Sequence, residues 1–182
     1  MPSARKSEEK PGLVSYNPAW PTEFEAEAAC IGRALGAIAL RIDHHGSTSI
    51  PGLAAKPIID IQVSVTALQP IERYAVPLQA IGYFHLPHPD DSFCPFFYRP
   101  AQWPHTHHVH VVQAGGVEER RALLFRDYLC DHGDVARDYE QLKRQLLNQL
   151  ESTNDESREA YARAKTDFIE RIVAVALRDC YR

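Results

Sequence analysis

The sequence has few cysteines for its length, and they stand far apart. Cys30, Cys94, Cys130 and Cys180 form no C-x-x-C pair within the 182 residues. This spacing indicates neither a zinc knuckle nor a small disulfide scaffold. A reduced, cytoplasmic protein is therefore the expectation.

Long apolar runs and an excess of positive charge are missing too. No stretch approaches the roughly 20 apolar residues of a membrane span, and the charged opening "MPSARKSEEK" has no apolar segment behind it. Twenty Lys and Arg against 24 Asp and Glu give a net charge of -4, so no general attraction to nucleic acid or an anionic membrane is expected. The oligomeric state stays open.

The residues that are present predict an ordinary globular domain, with 45% apolar content. Residues 1 to about 12 read as a disordered tail, and residues 13–182 as one domain. A helix is predicted in "TEFEAEAACIGRALGAI", with Thr22 and Glu25 as a capping box. The alternation in "PIIDIQVSV" predicts a strand that is packed on its Ile and Val side and open on the side of Asp60 and Gln62.

The second half of the chain predicts a hairpin followed by helices. "PIERYAVPLQAIGY" has a helical period that Pro77 must kink or split, and "FCPFFYR" and "HTHHVHVVQ" form an antiparallel pair with His108 and His110 on one face. Three helices follow, so that residues 116–182 make a C-terminal helical lobe. The whole predicts an α+β fold, with a short mixed sheet, helices on one face and the helical lobe.

The stretch "HHGSTSIPGLAAKPIIDI" combines a Gly-Ser turn with a strand that carries one carboxylate. Gly46 would let the backbone approach a ligand closely, and Ser47 would contact a phosphate. Asp60 would lie one strand away, where it could hold a cation against that phosphate. The alternative is a plain turn and a solvated aspartate.

This stretch resembles the signature segment of the GrpB family, also called UPF0157, and the G-S, then D-h-[DE]-h pattern of the nucleotidyltransferase superfamily, where h is apolar. Further stretches similar to the family are "VSYNPAWPTEFEAE", "THHVHVVQAGG", and "LLFRDYLCDH" with "YEQLKRQL". The resemblance runs from about Val14 to Ile169. It implies a nucleotidyltransferase-like α+β fold, and in some proteins such a domain is attached to dephospho-CoA kinase. This chain has no G-x-x-x-x-G-K-[ST] loop for such a kinase.

The chain departs from the superfamily at Gln62, where a second acid is expected for two-metal chemistry. If the two strands are neighbours, His108 and His110 would share a face with Asp60 and give a 2-His-1-carboxylate set, for which a divalent cation such as Mg²⁺, Mn²⁺ or Zn²⁺ is a candidate cofactor. The alternative is that the histidines bond Asp60 or a phosphate without metal. Asp90, Asp91 and Glu119 are further candidates for the missing acid, and the sequence does not choose among them.

Five more residues are candidates for phosphate, loop or cleft contacts. Arg99, where the family tends to place a basic residue, is a candidate phosphate clamp, and an exposed structural arginine is the alternative. Lys56 in the signature loop is a candidate for a phosphate contact, and a solvated loop lysine is the alternative. His44, which matches the family's histidine, would orient this loop or relay a proton, and structural hydrogen bonding is the alternative. Lys143 and Arg126 could project toward the cleft.

We therefore predict a nucleotidyltransferase-like protein that binds a nucleotide or another phosphorylated small molecule, with Asp60, His108 and His110 as catalytic residues and metal ligands. His44, Gly46, Ser47, Lys56 and Arg99 would bind the phosphate. Nucleotidyl transfer is the reaction that this prediction favours. A non-catalytic binding module and a metal-dependent hydrolase are the alternatives, so whether the chain is an enzyme stays open.

Overall fold

The computed structural model describes residues 12–149 and 155–179. Residues 1–11 of the predicted tail and Leu150 lie outside the described residues. The helices are α1 (Trp20–Leu35), α2 (Glu72–Ala80), α3 (Val117–Asp131), α4 (Gly133–Gln149) and α5 (Asp155–Arg178). The strands are β1 (Arg41–His45), β2 (Ile59–Val65), β3 (Phe84–His85), β4 (Phe96–Arg99) and β5 (His107–Gln113).

The five strands form one mixed sheet in the order β1-β2-β5-β4-β3. Strand β2 is antiparallel to β1 and parallel to β5, and β5 is antiparallel to β4. The predicted neighbour relationship is therefore confirmed, because Asp60 lies opposite His108 and Gln62 lies opposite His110. The mixed α+β class is confirmed with it.

One face of the sheet is apolar and packs against α1 and α2. The strand residues of this core include Ile59, Ile61, Val63, Val109 and Val111, all almost fully buried. They alternate with polar residues because successive side chains of a strand point to opposite faces. Trp20, Ile31 and Leu35 of α1, and Tyr74 and Leu78 of α2, complete the core.

The C-terminal helices form a second core and cover part of the polar face. Phe125, Tyr139 and Phe168 pack together with Ile50 and Leu53 of the signature loop. The start of α3 lies over the sheet, where Gln62 Nε2 donates to the Glu119 carbonyl oxygen and the Ser64 hydroxyl donates to the Glu119 carboxylate. The prediction that this side of β2 is open was wrong, since Gln62 is only 1% exposed.

Three local predictions also differ from the structure. Strands β1 and β3 were not predicted, because "RIDHH" lacks an apolar alternation and β3 has only two residues. Helix α1 begins at Trp20 without a side-chain cap, so Thr22 lies inside the helix and forms no capping box. Helix α2 runs from Glu72 to Ala80 with Pro77 inside it, and is not split.

Two further observations concern the whole described chain. Cys30, Cys94 and Cys130 are free thiols. Across residues 12–149 and 155–179, no helix combines the length and the apolar character that a membrane crossing requires.

Candidate functional site

The turn after β1 presses its backbone against Asp60. Gly46 has a φ of 71°, a conformation that L side chains rarely adopt, and it leads into the short 3₁₀ turn Ser47–Ser49. A Cβ atom at this position would lie 2.8 Å from the Asp60 Cβ. Only glycine therefore fits here without a shift of the strand or of the loop.

Asp60 accepts a hydrogen bond from the neighbouring strand. His108 Nδ1 lies 3.2 Å from Asp60 Oδ1, and His105 Nδ1 lies 3.2 Å from His108 Nε2. An ionised carboxylate only accepts, so His108 Nδ1 carries a hydrogen and donates it to Asp60. Burial alone would raise the pKa of Asp60, but the hydrogen bond and charge of His108 outweigh it and hold the pKa well below its usual range.

Beside Asp60 lies a cavity of about 220 Å³ that we call the lysine cavity. Its cationic lining consists of Lys56 from the signature loop, Lys143 from α4 and Lys165 from α5. Ser47, Thr48, Asp60, Trp103 and His108 complete its polar lining. Three elements that are distant in sequence thus bring lysines to a cavity beside the one carboxylate of β2.

Lys143 is the most deeply buried cation of this cavity, with 3% of the residue exposed. Its ammonium group donates to the Ala54 carbonyl oxygen at 2.7 Å and to Ser47 Oγ at 3.1 Å, and it lies 4.9 Å from the centre of the Tyr139 ring. Burial, with repulsion from Lys165, lowers the pKa of Lys143 to about 7. Burial also lowers the pKa of Lys165, although Asp60 opposes that shift. Both cations would gain from an anionic ligand, which would offset their lost hydration.

A second cavity of about 330 Å³, which we call the aromatic cavity, adjoins the first. The two cavities share Ser47, Asp60 and Lys165. The rest of the lining of the second includes Phe125, Tyr139, Ile169, His45, His110 and Cys94, together with the polar Gln62, Glu118 and Arg121. Its aromatic and apolar side chains offer a surface directly beside the charged site.

The two histidines of the aromatic cavity are held neutral at physiological pH. Burial, with repulsion from His45, lowers the pKa of His110 to about 3, and its Nδ1 lies 3.8 Å from the Cys94 sulfur. Burial likewise lowers the pKa of His45. Burial raises the pKa of the Cys94 thiol to about 12, so it is no nucleophile at neutral pH.

The predicted metal ligands share a face but do not converge. Asp60 bonds His108, whereas His110 lies one pair further along the strands, beside Cys94. Within the described ranges, no three His, Cys, Asp or Glu side chains are arranged to hold a metal ion. Gln62 supplies no charge and its amide is bonded to α3. The residues present therefore do not fit the predicted three-ligand site or a two-metal site.

The candidates for the missing acid are engaged elsewhere. The Glu119 carboxylate accepts from the Gly115 N–H and the Ser64 hydroxyl and lies 3.7 Å from Arg41. Asp91 pairs with His85 at 3.0 Å, in the loop before β4. Neither residue lines the lysine cavity.

Two predicted site residues lie on the other face of the sheet. His44 stacks on Phe24 of α1, with ring centres 4.7 Å apart, and its Nε2 lies 3.0 Å from Thr48 Oγ1. Burial lowers the pKa of His44 to about 4, so this histidine supports the turn as a neutral ring. Arg99 donates to the Glu27 carboxylate at 2.7 Å. The structure thus does not bring Arg99 to the cavity as a phosphate clamp.

The structure brings the other candidates together and adds residues that were not predicted. Asp60, His108, Ser47 and Lys56 line the lysine cavity, and Gly46 and His110 line the aromatic cavity. Lys165, Trp103, His105 and His45 were not predicted. The signal for Lys165 was present, because it lies three and four residues before the apolar Phe168 and Ile169 and therefore on their face of the helix.

Comparisons with known sequences agree with this architecture. The family model described as GrpB protein matches residues 10–174. A relative from Pseudomonas aeruginosa, UPF0157 protein PA4798, is 40% identical over 91% of this chain and 67% of its own length. The UPF0157 protein YqkA of Bacillus subtilis is 33% identical over 87% of this chain, which spans only 45% of that protein. A dephospho-CoA kinase of Mycolicibacterium paratuberculosis is 32% identical over 93% of this chain and 45% of its own length.

Solved structures extend the comparison. A crystal structure of GrpB from Enterococcus faecalis matches with a TM-score of 0.80 at 32% identity, over 94% of this chain and all of that chain. The Cid1 poly(U) polymerase, described with MgGTP bound, matches with a TM-score of 0.52 at 14% identity, over 77% of this chain and 46% of that chain. At that identity the second match shows the nucleotidyltransferase-like fold alone. Since the family model covers nearly all of the described sheet and helices, this chain belongs to the GrpB family.

Proposed function

We propose that this protein binds a nucleotide or another phosphorylated small molecule in the lysine cavity. The observation that carries the proposal is the ammonium group of Lys143, almost fully buried and 3.1 Å from Ser47 Oγ, in a cavity that Lys56 and Lys165 also line. Burying ammonium groups is unfavourable unless negative charge compensates them. One carboxylate, Asp60, is the only acid in the described lining of this cavity.

The relatives support the class of ligand. Cid1 is described in complex with a UTP analogue, and one relative of this chain is named a dephospho-CoA kinase. Nucleotides and phosphorylated precursors of coenzyme A are therefore the compounds to test first. The three free thiols agree with a reducing, cytoplasmic location.

Nucleotidyl transfer is a second candidate, which the Asp60–His108 pair favours. In such a transfer, the acceptor oxygen attacks the α-phosphorus, the bond to pyrophosphate breaks, and the acceptor gives up its proton. His108, oriented by the Asp60 carboxylate, would take that proton at Nε2. The side chains of the described ranges form no three-ligand metal site, so the proposal includes no step at a metal ion.

The experiment is thermal unfolding against a panel of nucleotides and coenzyme A precursors, with and without Mg²⁺, Mn²⁺ or Zn²⁺. A ligand at 100 times its dissociation constant stabilises the native state by about 2.7 kcal/mol. We expect this shift in melting temperature in wild type and in Arg144→Met, a control at the next position, where the side chain is exposed. We expect no shift in Lys143→Met or Ser47→Ala. A shift retained in both cavity variants would refute the proposed site.

The same samples separate the alternatives. Release of pyrophosphate from a nucleoside triphosphate would indicate the transferase, and release of phosphate from an ester would indicate the hydrolase. Binding without turnover would indicate the non-catalytic module.

A further inference from the structure

We infer that the ligand is a phosphate monoester, with its single phosphate in the lysine cavity and its organic part in the aromatic cavity. This inference rests on the proposed function and narrows it from phosphorylated compounds in general to those that present one phosphate. It argues against nucleotidyl transfer, because that second candidate needs a nucleoside triphosphate.

The charges around the lysine cavity favour one phosphate over a longer phosphate chain. Three lysines line this cavity, and Asp60 is the one carboxylate of its described lining. A phosphate monoester carries about -1.5 to -2 at pH 7. Each further phosphate would bring additional negative charge close to the Asp60 carboxylate, because the cavity holds only about 220 Å³.

The polar lining also supplies the hydrogen-bond donors that a phosphate needs. Trp103 Nε1 is buried and finds no hydrogen-bond partner within the described residues. An indole N–H only donates, so what it lacks is an acceptor. A phosphate oxygen in the lysine cavity would supply that acceptor, and the lysines would supply charged donors to the remaining oxygens.

The volumes of the two cavities indicate where the two parts of the ligand bind. At about 220 Å³, the lysine cavity is below the roughly 300–1,000 Å³ of most ligand pockets, whereas the adjoining aromatic cavity adds about 330 Å³. The two meet at Ser47, Asp60 and Lys165. Phe125, Tyr139 and Ile169 would cover an apolar or aromatic body. His45, which also lines this space, has a buried Nε2 without a partner in the described part of the chain, and a hydroxyl of the ligand would satisfy it.

The first test compares inorganic phosphate, pyrophosphate and tripolyphosphate by isothermal titration calorimetry in metal-free buffer. We expect phosphate to bind and the affinity not to rise along the series. A tenfold or larger rise that Lys143→Met abolishes would overturn this inference and leave the proposed site standing. If none of the three anions binds, the proposed function fails as well.

Trp103 provides the second test and its own optical signal. Trp103→Phe keeps an aromatic ring but removes the N–H group, so we expect phosphate to bind about tenfold more weakly. The phosphate-dependent change in tryptophan emission should disappear in this variant, while Trp20, 2% exposed in the core, still reports a folded protein. Unchanged phosphate affinity in Trp103→Phe would contradict the assignment of this donor to the ligand.

The third test concerns the organic part. Phenyl phosphate should bind wild type at least tenfold more tightly than inorganic phosphate. Ala122→Phe fills the aromatic cavity and should bring the two affinities together, whereas Ala29→Phe, on the exposed face of α1, should keep the difference. Equal affinities of wild type for phenyl phosphate and inorganic phosphate would overturn the placement of the organic part. So would an affinity difference in Ala122→Phe as large as in wild type.

Discussion

Gly46 lies so close to Asp60 that a single added methyl group would collide with the side chain at the centre of the site. The built Cβ would come within 2.8 Å of the Asp60 Cβ, and the φ of 71° adds strain to any other residue. The close approach of this turn to the strand therefore fixes both the residue type at position 46 and the position of the carboxylate.

Gly46→Ala should destabilise the protein and abolish ligand binding. Gly52→Ala is the matched control, because Gly52 has a φ of 78° and open space around its built Cβ. The control measures the cost of the backbone strain alone, which is about 1–2 kcal/mol of the free energy of unfolding. Gly46→Ala should lose more free energy of unfolding than this because of the collision with Asp60. Urea unfolding of both variants measures the difference. Equal losses would mean that the contact with Asp60 does not constrain the turn.

The buried ammonium group of Lys143 should make stability depend on pH above neutrality. Its pKa is about 7 in the folded chain and 10.5 as the ordinary value, so between these values the unfolded state binds more protons. Stability contributed by this group therefore rises with pH, by up to about 1.4 kcal/mol per pH unit. Urea unfolding at pH 7 and pH 9 should show the full rise in wild type and in Arg144→Met, and a smaller rise in Lys143→Met, where Lys165, whose pKa is also lowered, still contributes. A rise of the same size in Lys143→Met would contradict the assignment.

The buried, neutral His110 should lower the free energy of unfolding in mild acid. Its folded pKa of about 3 lies below the ordinary value of 6.5, so the unfolded state takes up a proton first as the pH falls. From pH 6.5 to pH 5 this group should cost about 2 kcal/mol of stability. His110→Gln should lose that increment, whereas His88→Gln, at an exposed position, should retain it. A His110→Gln variant as acid-sensitive as wild type would show that another group is responsible.

Arg99 should prove structural. Removal of its guanidinium group in Arg99→Met leaves the Glu27 carboxylate, 10% exposed, without its charged partner, so we expect a loss of about 1–3 kcal/mol. The double variant Glu27→Gln, Arg99→Met should recover part of it. Calorimetry should find the phosphate affinity of both folded variants unchanged. Weaker phosphate binding in them would return Arg99 to the site.

The sequence was sufficient to place the parts of the site that depend on strand periodicity. The alternation in β2 and β5 put Asp60 and His108 on one face, and the structure joins them at 3.2 Å. The same alternation places Arg99 on the face of Phe97, so strand periodicity alone predicts that Arg99 points away from Asp60. We expected a phosphate clamp at this position because the family tends to have a basic residue there.

The lysines of the helical lobe could be placed only in part, since Lys143 was a candidate to project toward the cleft and Lys165 was not predicted. A helical period shows that Lys143 and Lys165 belong to apolar stripes, but it does not show toward which part of the sheet those stripes face. That direction depends on how α4 and α5 pack against Ile50 and Leu53 of the signature loop. The position of the ammonium groups is therefore a product of tertiary packing.

The most direct test of the account is a crystal structure of the protein grown with inorganic phosphate, at a concentration that saturates the thermal shift. The account predicts the phosphate in the lysine cavity, within hydrogen-bond distance of Lys143 Nζ and Ser47 Oγ, with Trp103 Nε1 donating to one of its oxygens. A saturating shift with the phosphate bound elsewhere, and no ligand beside Asp60, would contradict it.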